Sequence, residues 1–428
     1  MARFGIASIV ERSGIEAWRA LMGLSALIFF VGGATFNTIG MFINPASDTF
    51  HVSIGEASSL ATIYLLSYYA AGPLVGWLLG FLNARIVMVT AGIIAGVSYF
   101  YAGNSQTFRT LEIALAIGGM GAGASTTAPS IAVAARYFRG EMGIAIGVLI
   151  AAGSLGAMIM PPIVGYVMTA VGWRSTLHDM GIAVIASVIP IMLFVVKVRA
   201  VTVQPASITT LLAGLLSRPF ILLITSLGLC QLGVMGAYVI FVPFALSFDY
   251  SLADSALMFG LMNMICAVGC IAGGVAADRY NPRLVLLAGI VANGIAMLLP
   301  LGMWLRDLER PTMIAFVLLW GLVQGIPMQL GPVVLARIVD DGAFATLSGT
   351  LLLAVGLISS LGPLLGGMLQ DQTHSYILAM LACGVVTLIS APLTLLFRAD
   401  QALPHGSHST RMGDAVGDSG PLAIQSEE

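Results

Sequence analysis

The side chains of this 428-residue chain that could do chemistry fall into a buried uncharged set and a peripheral charged one. Eight polar residues stand inside long apolar stretches: Asn37, Tyr68, Ser125, Thr126, Gln231, Asn263, Gln324 and Gln329. An amide or hydroxyl in hydrocarbon must find a hydrogen-bond partner or face a wet cleft. The set therefore reads as a substrate-contacting wall, with Asn37, Asn263 and Gln324 foremost. The competing reading is that these groups bond between helices and hold a bundle together.

The charged set sits where apolar stretches end: Arg85, Arg136, Arg139, Asp278, Arg279, Arg283, Asp340 and Asp341. Basic groups of one half and acids of the other could form a latch. A pair worth even ~1 kcal/mol moves a two-state equilibrium several-fold. The alternative is that these charges only anchor helix ends. Cys266 and Cys270, one helical turn apart, share a face. As thiolates they could bind a soft cation, but cysteines in apolar runs more often pack as small hydrophobes. His51, His178 and His374 lie on one side of the chain's topology but in different hairpins. No metal site and no cofactor is expected. No cluster of acids, histidines or nucleophiles shares one depth, so no enzymatic activity is expected either.

Elements long enough to carry such residues are plain in the composition. Hydrophobic residues make up 58% and charged residues 9%, against roughly 25% charged in a soluble protein, and mean hydropathy is +0.98. The solvent is lipid, and a net charge of −2 gives no field for nucleic acid. A crossing needs ~20 apolar residues. Twelve stretches qualify, near 21–43, 57–80, 86–103, 111–135, 143–169, 179–196, 219–247, 255–277, 284–304, 312–336, 344–369 and 376–397. All 18 basic residues lie outside them or at their ends. With the N-terminus inside, 14 fall on the cytoplasmic side and only Arg109, Arg174, Arg306 and Arg310 opposite. Both termini are thus expected in the cytoplasm, with the plasma (inner) membrane the expected location and a specialised intracellular membrane the alternative.

The chain also repeats. At an offset of 198, Pro45 matches Pro243, Phe50 Phe248, Ser53 Ser251, Gly76 Gly274, Asn83 Asn281 and Arg85 Arg283. Near an offset of 202, Gly147 matches Gly349, Pro161 Pro363 and Gly165 Gly367. Six spans per repeat is an even number, so the halves are parallel, related by an axis along the membrane normal, with a cleft between them. The expected fold is an all-α membrane protein of twelve transmembrane helices in two parallel six-helix repeats around a central cleft. Its divisions are an N-terminal bundle (1–196), a cytoplasmic linker (197–218), a C-terminal bundle (219–397) and a polar, disordered tail (398–428). Pro161, Pro162 and Pro363 are expected to break helix hydrogen bonding and bend spans five and eleven.

The segment Gly274-Val-Ala-Ala-Asp278-Arg279-Tyr-Asn281-Pro-Arg283 resembles the loop that follows the second span of each half in the major facilitator superfamily. The first copy, Gly76 to Arg85, keeps the ends but has Gly80 and Phe81 in place of the acid and arginine. Within that superfamily the first half is similar to the monocarboxylate and oxalate–formate branch, through Gly40 to Pro45, Pro129-Ser130, Arg136 to Gly140, Pro161-Pro162 and Gly172-Trp173-Arg174. The resemblance implies secondary active or facilitative transport of a small organic solute by alternating access, with a monocarboxylate-like acid first and a neutral, amphipathic or metal-chelate compound second. A transporter-like sensor is a remoter alternative. Its partners would be the solute and the bilayer, and the chain is expected to act as a monomer. Where the carboxylate carriers place an arginine, and often an acid, in the eighth span, this chain has Cys270 and Cys266. The lysine of oxalate carriers in the eleventh span is also missing. No charged side chain or histidine stands mid-span. The chain would then be a facilitator, an antiporter, or a carrier whose protons travel with the solute or through an interfacial acid such as Glu112 or Asp179.

Overall fold

The computed structural model describes residues 14–52, 54–57, 59–138, 141–196, 208–304, 308–339 and 341–396. Ten helices are long and apolar enough to cross a membrane by length and composition alone. Ser59–Leu78 and the pair Phe108–Ser125 and Thr127–Tyr137 complete the twelve. The spans are α1 Ile15–Phe50, α2 Ser59–Leu78, α3 Ala84–Gly103, α4 Phe108–Ser125 with Thr127–Tyr137, α5 Met142–Val171 and α6 Trp173–Val195. The second six are α7 Arg218–Leu246, α8 Leu252–Arg279, α9 Pro282–Met303, α10 Glu309–Leu335, α11 Asp341–Ser359 with Gly362–Thr373, and α12 Tyr376–Leu396. Of the expected linker, a helix covers Ile208–Leu215; positions 197–207 and the tail from 397 on lie outside the described residues.

The two halves pack alike. In the first, α3 lies on α6 and α2 on α4; in the second, α9 lies on α12 and α8 on α10. The correspondence reaches single atoms. Asn83 and Asn281, 198 apart, each cap the helix that follows, accepting from the N–H of Arg85 at 2.9 Å and of Arg283 at 3.0 Å. Arg85 donates to the Val196 carbonyl at 3.0 Å and Arg283 to that of Thr394 at 2.6 Å, again 198 apart. His51 and Asp249, the same distance apart, are both left-handed, at φ 54° and 60°.

The halves meet along two seams, α2 with α11 and α5 with α8. Both bear on the membrane face that carries the linker. In one seam Gly76 faces Ala345 and Thr346, and Gly72 faces Gly349. In the other, Gly274 faces Gly143, and Cys270 faces Gly147. A Cβ on any of these glycines would meet backbone of the opposite helix, so the lack of a side chain sets the approach. In lipid, where apolar burial does not drive helix association, such close van der Waals contact does.

Several helices are interrupted at mid-depth. In α10 the α-helix stops at Val323 and restarts at Ile326. The N–H that would bond the Val323 carbonyl belongs to residue 327, and Pro327 has none. Asn293 of α9 takes its place, donating from Nδ2 to Val323 at 2.8 Å while accepting from the Trp320 indole at 2.9 Å. In α4 the break at Thr126 stands three residues before Pro129, and the Thr126 hydroxyl donates to the Ala122 carbonyl at 2.6 Å. In α1 a π turn, Ile28–Gly32, and a 3₁₀ turn, Ile39–Phe42, flank the irregular Phe36–Thr38 stretch. There Thr35 donates to Val31 at 2.7 Å, and Thr38 to Ala34. The second segment of α11 opens at Gly362, beside Pro363. In α5 the helix runs from Met142 to Val171 through Pro161 and Pro162, each of which withholds one donor. In α10 the carbonyl that proline frees is taken up by the amide of a neighbouring helix.

Replacing Gly349 with valine should force α2 and α11 apart, an overpacking cost of about 1–3 kcal/mol, and lower the melting midpoint in detergent. Gly40→Ala, whose Cβ would enter open space, should leave that midpoint unchanged. Scanning intrinsic fluorescence against temperature distinguishes the two.

Candidate functional site

The interruptions in α1, α4 and α10 bring polar residues to the same depth between the halves. There lies a cavity of about 280 Å³, with walls from both six-helix units. Five of the eight sequence-predicted residues line it: Asn37, Tyr68, Gln231, Asn263 and Gln324. The other three stand behind the wall. Ser125, Thr126 and Gln329 are fully buried. Thr126 acts through Tyr68, whose hydroxyl bonds Thr126 at 2.8 Å and Thr127 at 2.9 Å; Thr127 is the one that reaches the cavity. Gln329 lies against Gly273 of α8, and both ends of its amide are without a partner.

The wall groups differ in what they leave free. Asn263 is spoken for: it accepts from the Tyr238 hydroxyl at 3.0 Å and donates to the Phe259 carbonyl at 2.9 Å. Gln231 and Gln324 are each 6% exposed, and Oε1 of the first and Nε2 of the second have no partner. A buried polar atom left unpaired costs about 1–3 kcal/mol, a local cost that both wall residues carry. Asn37 carries no side-chain hydrogen bond among the described residues and is half-buried on the wall. Three further aromatics, Phe36, Tyr69 and Tyr238, stand on a wall that is otherwise mostly aliphatic and glycine. Phe36 packs against Tyr68 and Tyr69, with centroids 5.0 and 6.0 Å away. Tyr69 and Tyr238 were missed in the sequence, where an aromatic in an apolar run carries no mark of its function. The proline signal behind the breaks, Pro129 and Pro327, was there to be read.

At the linker face Asp278 spans the halves. Its carboxylate accepts from the Gly143 N–H at 2.6 Å and the Ile144 N–H at 2.7 Å, the first turn of α5. A carboxylate on two free amides at a helix N-terminus combines charge-assisted bonds with the helix dipole. Arg85, Arg136 and Arg283 instead bond carbonyls of their own halves: Val196, Leu79 at 3.2 Å, and Thr394 with Leu395. For these bonds the anchoring alternative describes the geometry, because each guanidinium lies beside the freed carbonyls of a nearby helix end. Arg279 is exposed at the end of α8. Arg139, Asp340 and the side chain of Asp341 lie outside the described residues.

A family model for the Major Facilitator Superfamily matches residues 24–299 and 271–419. The chain belongs to that superfamily. Its relatives include the MFS transporter asaE of Aspergillus flavus, 24% identical over 88% of this chain and 87% of that one. Another is monocarboxylate transporter 12 of Mus musculus, 24% identical over 73% and 71%. Among solved structures, the Major Facilitator Superfamily transporter FucP in the outward conformation covers 87% of this chain and 98% of its own, with TM-score 0.67 at 15% identity. The human organic anion transporter MFSD10 covers 89% and 100%, with TM-score 0.66 at 17% identity.

In this superfamily member no charged residue lines the cavity among the described residues. Cys266 is on its wall, 3.9 Å from the buried Cys270 and 3.5 Å from the Ser154 hydroxyl. A bare carboxylate there would meet amides and hydroxyls alone, and burial of an ion without a counter-charge costs several kcal/mol.

Removing both acceptors with Asp278→Ala should loosen α5 from α8 at the linker face. An impermeant maleimide added from that face should then label Cys270 several-fold faster than in the parent, tested with Cys230, Cys266 and Cys383 replaced by serine. Equal labelling rates would show that glycine packing alone closes the seam.

Proposed function

We propose that this transporter moves a small, uncharged, largely apolar organic solute across the plasma (inner) membrane by alternating access. The observation that carries the reading is the cavity itself: it stands between the halves, its mostly apolar wall carries four aromatics and four amides, and among the described residues no charged one lines it. Membership in the superfamily supports transport as the activity. In this reading the bundles 1–196 and 219–397 rock as bodies about the 197–218 linker, with the linker face cytoplasmic, as the basic-residue bias indicates. The packed seams at that face correspond to the outward-facing state. Asp278 holds it closed by capping α5, and release of that cap accompanies the inward turn.

A second reading is transport of a monocarboxylate as its anion, favoured by the relatives named monocarboxylate transporters. Against it stands Cys266, a neutral side chain at the cavity where a counter-charge would be needed.

The deciding experiment is uptake into vesicles holding the purified protein, with labelled neutral aromatic solutes and labelled monocarboxylates, with and without a pH gradient. Saturable uptake of a neutral solute, with KM raised about 3–10-fold by Asn37→Leu through loss of one neutral hydrogen bond, is expected. Asp278→Asn should slow initial rates while the protein still inserts in the membrane. Uptake confined to anions, and unaffected by Asn37→Leu, would sink the first reading in favour of the second.

A further inference from the structure

Two thiols and a hydroxyl converge where α5 of one half meets α8 of the other. Cys266 Sγ and Cys270 Sγ are 3.9 Å apart, and the Ser154 hydroxyl of α5 is 3.5 Å from Cys266. Ala151 of α5 shares their buried cluster, with Ile150 packed against it. Gly325, at the break of α10, bounds the group on a third side. A Cβ there would meet both sulfurs, so its lack lets the two turn the same way. Ser154, Cys266 and Gly325 stand on the cavity wall, and Cys270 is fully buried one turn along from Cys266. An i, i+4 spacing puts two residues on one helix face but selects no ligand. The separations do. Thiolates ~2.3 Å from a tetrahedral cation stand about 3.8 Å apart, and such a thiolate stands about 3.6 Å from an oxygen bound at ~2.1 Å. The separations here, 3.9 and 3.5 Å, match both within the ~0.2 Å expected of a metal site.

We infer that Cys266, Cys270 and Ser154 form a binding site for a thiophilic divalent d¹⁰ cation, of the zinc and cadmium class, at the α5–α8 seam. Each thiol yields its proton to water in the cavity as its sulfur takes the metal, and the hydroxyl ligates through a lone pair. Two thiolates and one divalent cation sum to zero charge. The loaded site therefore suits a wall on which no charged residue stands among the described ones. Calcium and magnesium, which take oxygen ligands, find no match in a pair of sulfurs. No third His, Cys, Asp or Glu joins the group among the described residues, which leaves a fourth position to water, as in open rather than closed thiolate sites. The consequence is mechanical. Donors from both halves on one ion tie α5 to α8, in addition to the glycine contacts and the Asp278 cap toward the linker face. The ion opposes separation of the halves there and slows the carrier. That consequence, though not the site itself, rests on the alternating-access reading above.

The test is titration of the purified full-length protein, reduced with a phosphine and held in detergent, with cadmium chloride. The signal is the thiolate-to-cadmium charge-transfer band in the near ultraviolet. The band should saturate at one equivalent, in the native protein and with Cys230 and Cys383 both replaced by serine. In that background Cys266→Ser or Cys270→Ser should each remove the one-equivalent step, and Ser154→Ala should weaken binding about tenfold. Excess magnesium should not compete. Cadmium should raise the melting midpoint of the parent and not of the cysteine variants, whose own midpoints without metal stay near the parent's. A native protein without the one-equivalent band overturns the site, as does a band that survives loss of either cysteine. A dissociation constant that ignores Ser154→Ala overturns the bridge between the halves. Vesicle uptake is the separate arm: cadmium should slow flux of any solute the parent carries, and not flux through Cys266→Ser. Stoichiometric binding without flux of any solute keeps the site and removes the transport reading, whereas flux indifferent to bound cadmium removes the tie across the seam.

Discussion

Everything in this molecule is subject to one condition: a backbone carbonyl or amide in hydrocarbon has no water to turn to. Continuous helices meet it trivially. A cavity at mid-depth does not follow from continuous helices alone, because an unbroken ladder presents side chains and hides its own polar groups. In α10 the chain solves this with a substitute: Pro327 deprives the Val323 carbonyl of its donor, and Asn293 supplies another from the next helix. Beside the α1 and α4 irregularities, threonine hydroxyls donate to the Val31, Ala34 and Ala122 carbonyls from within their own helices. The α1, α4 and α10 breaks set residues of the cavity wall, Asn37, Thr127 and Gln324, at one level between the halves.

The same condition explains the seams. With no hydrophobic drive between helices in lipid, the halves cohere through backbone contact, which needs glycine where they cross. The two seams obey one pattern, Gly76 with Ala345 and Gly274 with Gly143, but they are not equal. The position corresponding to Asp278 in the first half is Gly80, so the carboxylate cap exists at one seam and not at its counterpart. The α5–α8 seam is held by charge and by packing, the α2–α11 seam at that position by packing without the acid. Duplication supplied the geometry twice, and only one copy retains the acid that can respond to a change at the helix end.

How much was legible followed from where each signal sits. The 198-residue repeat was readable because its best-kept residues, Asn83 with Asn281 and Arg85 with Arg283, cap helix starts and tie down helix ends, tasks that fix residue type. The twelve spans were readable from apolar length. The facing of single polar residues was less so. Gln324 and Gln329 are five positions apart, about 140° around a regular helix, so both could not be expected on one wall; Gln329 turns to Gly273 instead. Prolines carry different weight by context. Pro161 and Pro162 stand within one continuous helix, while Pro129 and Pro327 stand beside breaks. At Pro327 the freed carbonyl has a substitute donor. For α10 that donor, Asn293, is 30 residues from the carbonyl it serves, and only the fold brings them together.

The absence of charge on the cavity wall bears on how the carrier can be driven. A carrier with a titratable group mid-span changes its own charge in each cycle and must desolvate that group in one of its states. The described wall holds no such group, so in the proposed cycle the cost of turning between faces falls on the two seams that join the halves. At the level of Gly80 one seam is glycine packing without an acid, while the other adds the Asp278 carboxylate on the α5 amides. The α5–α8 seam is therefore the one whose strength depends on charge.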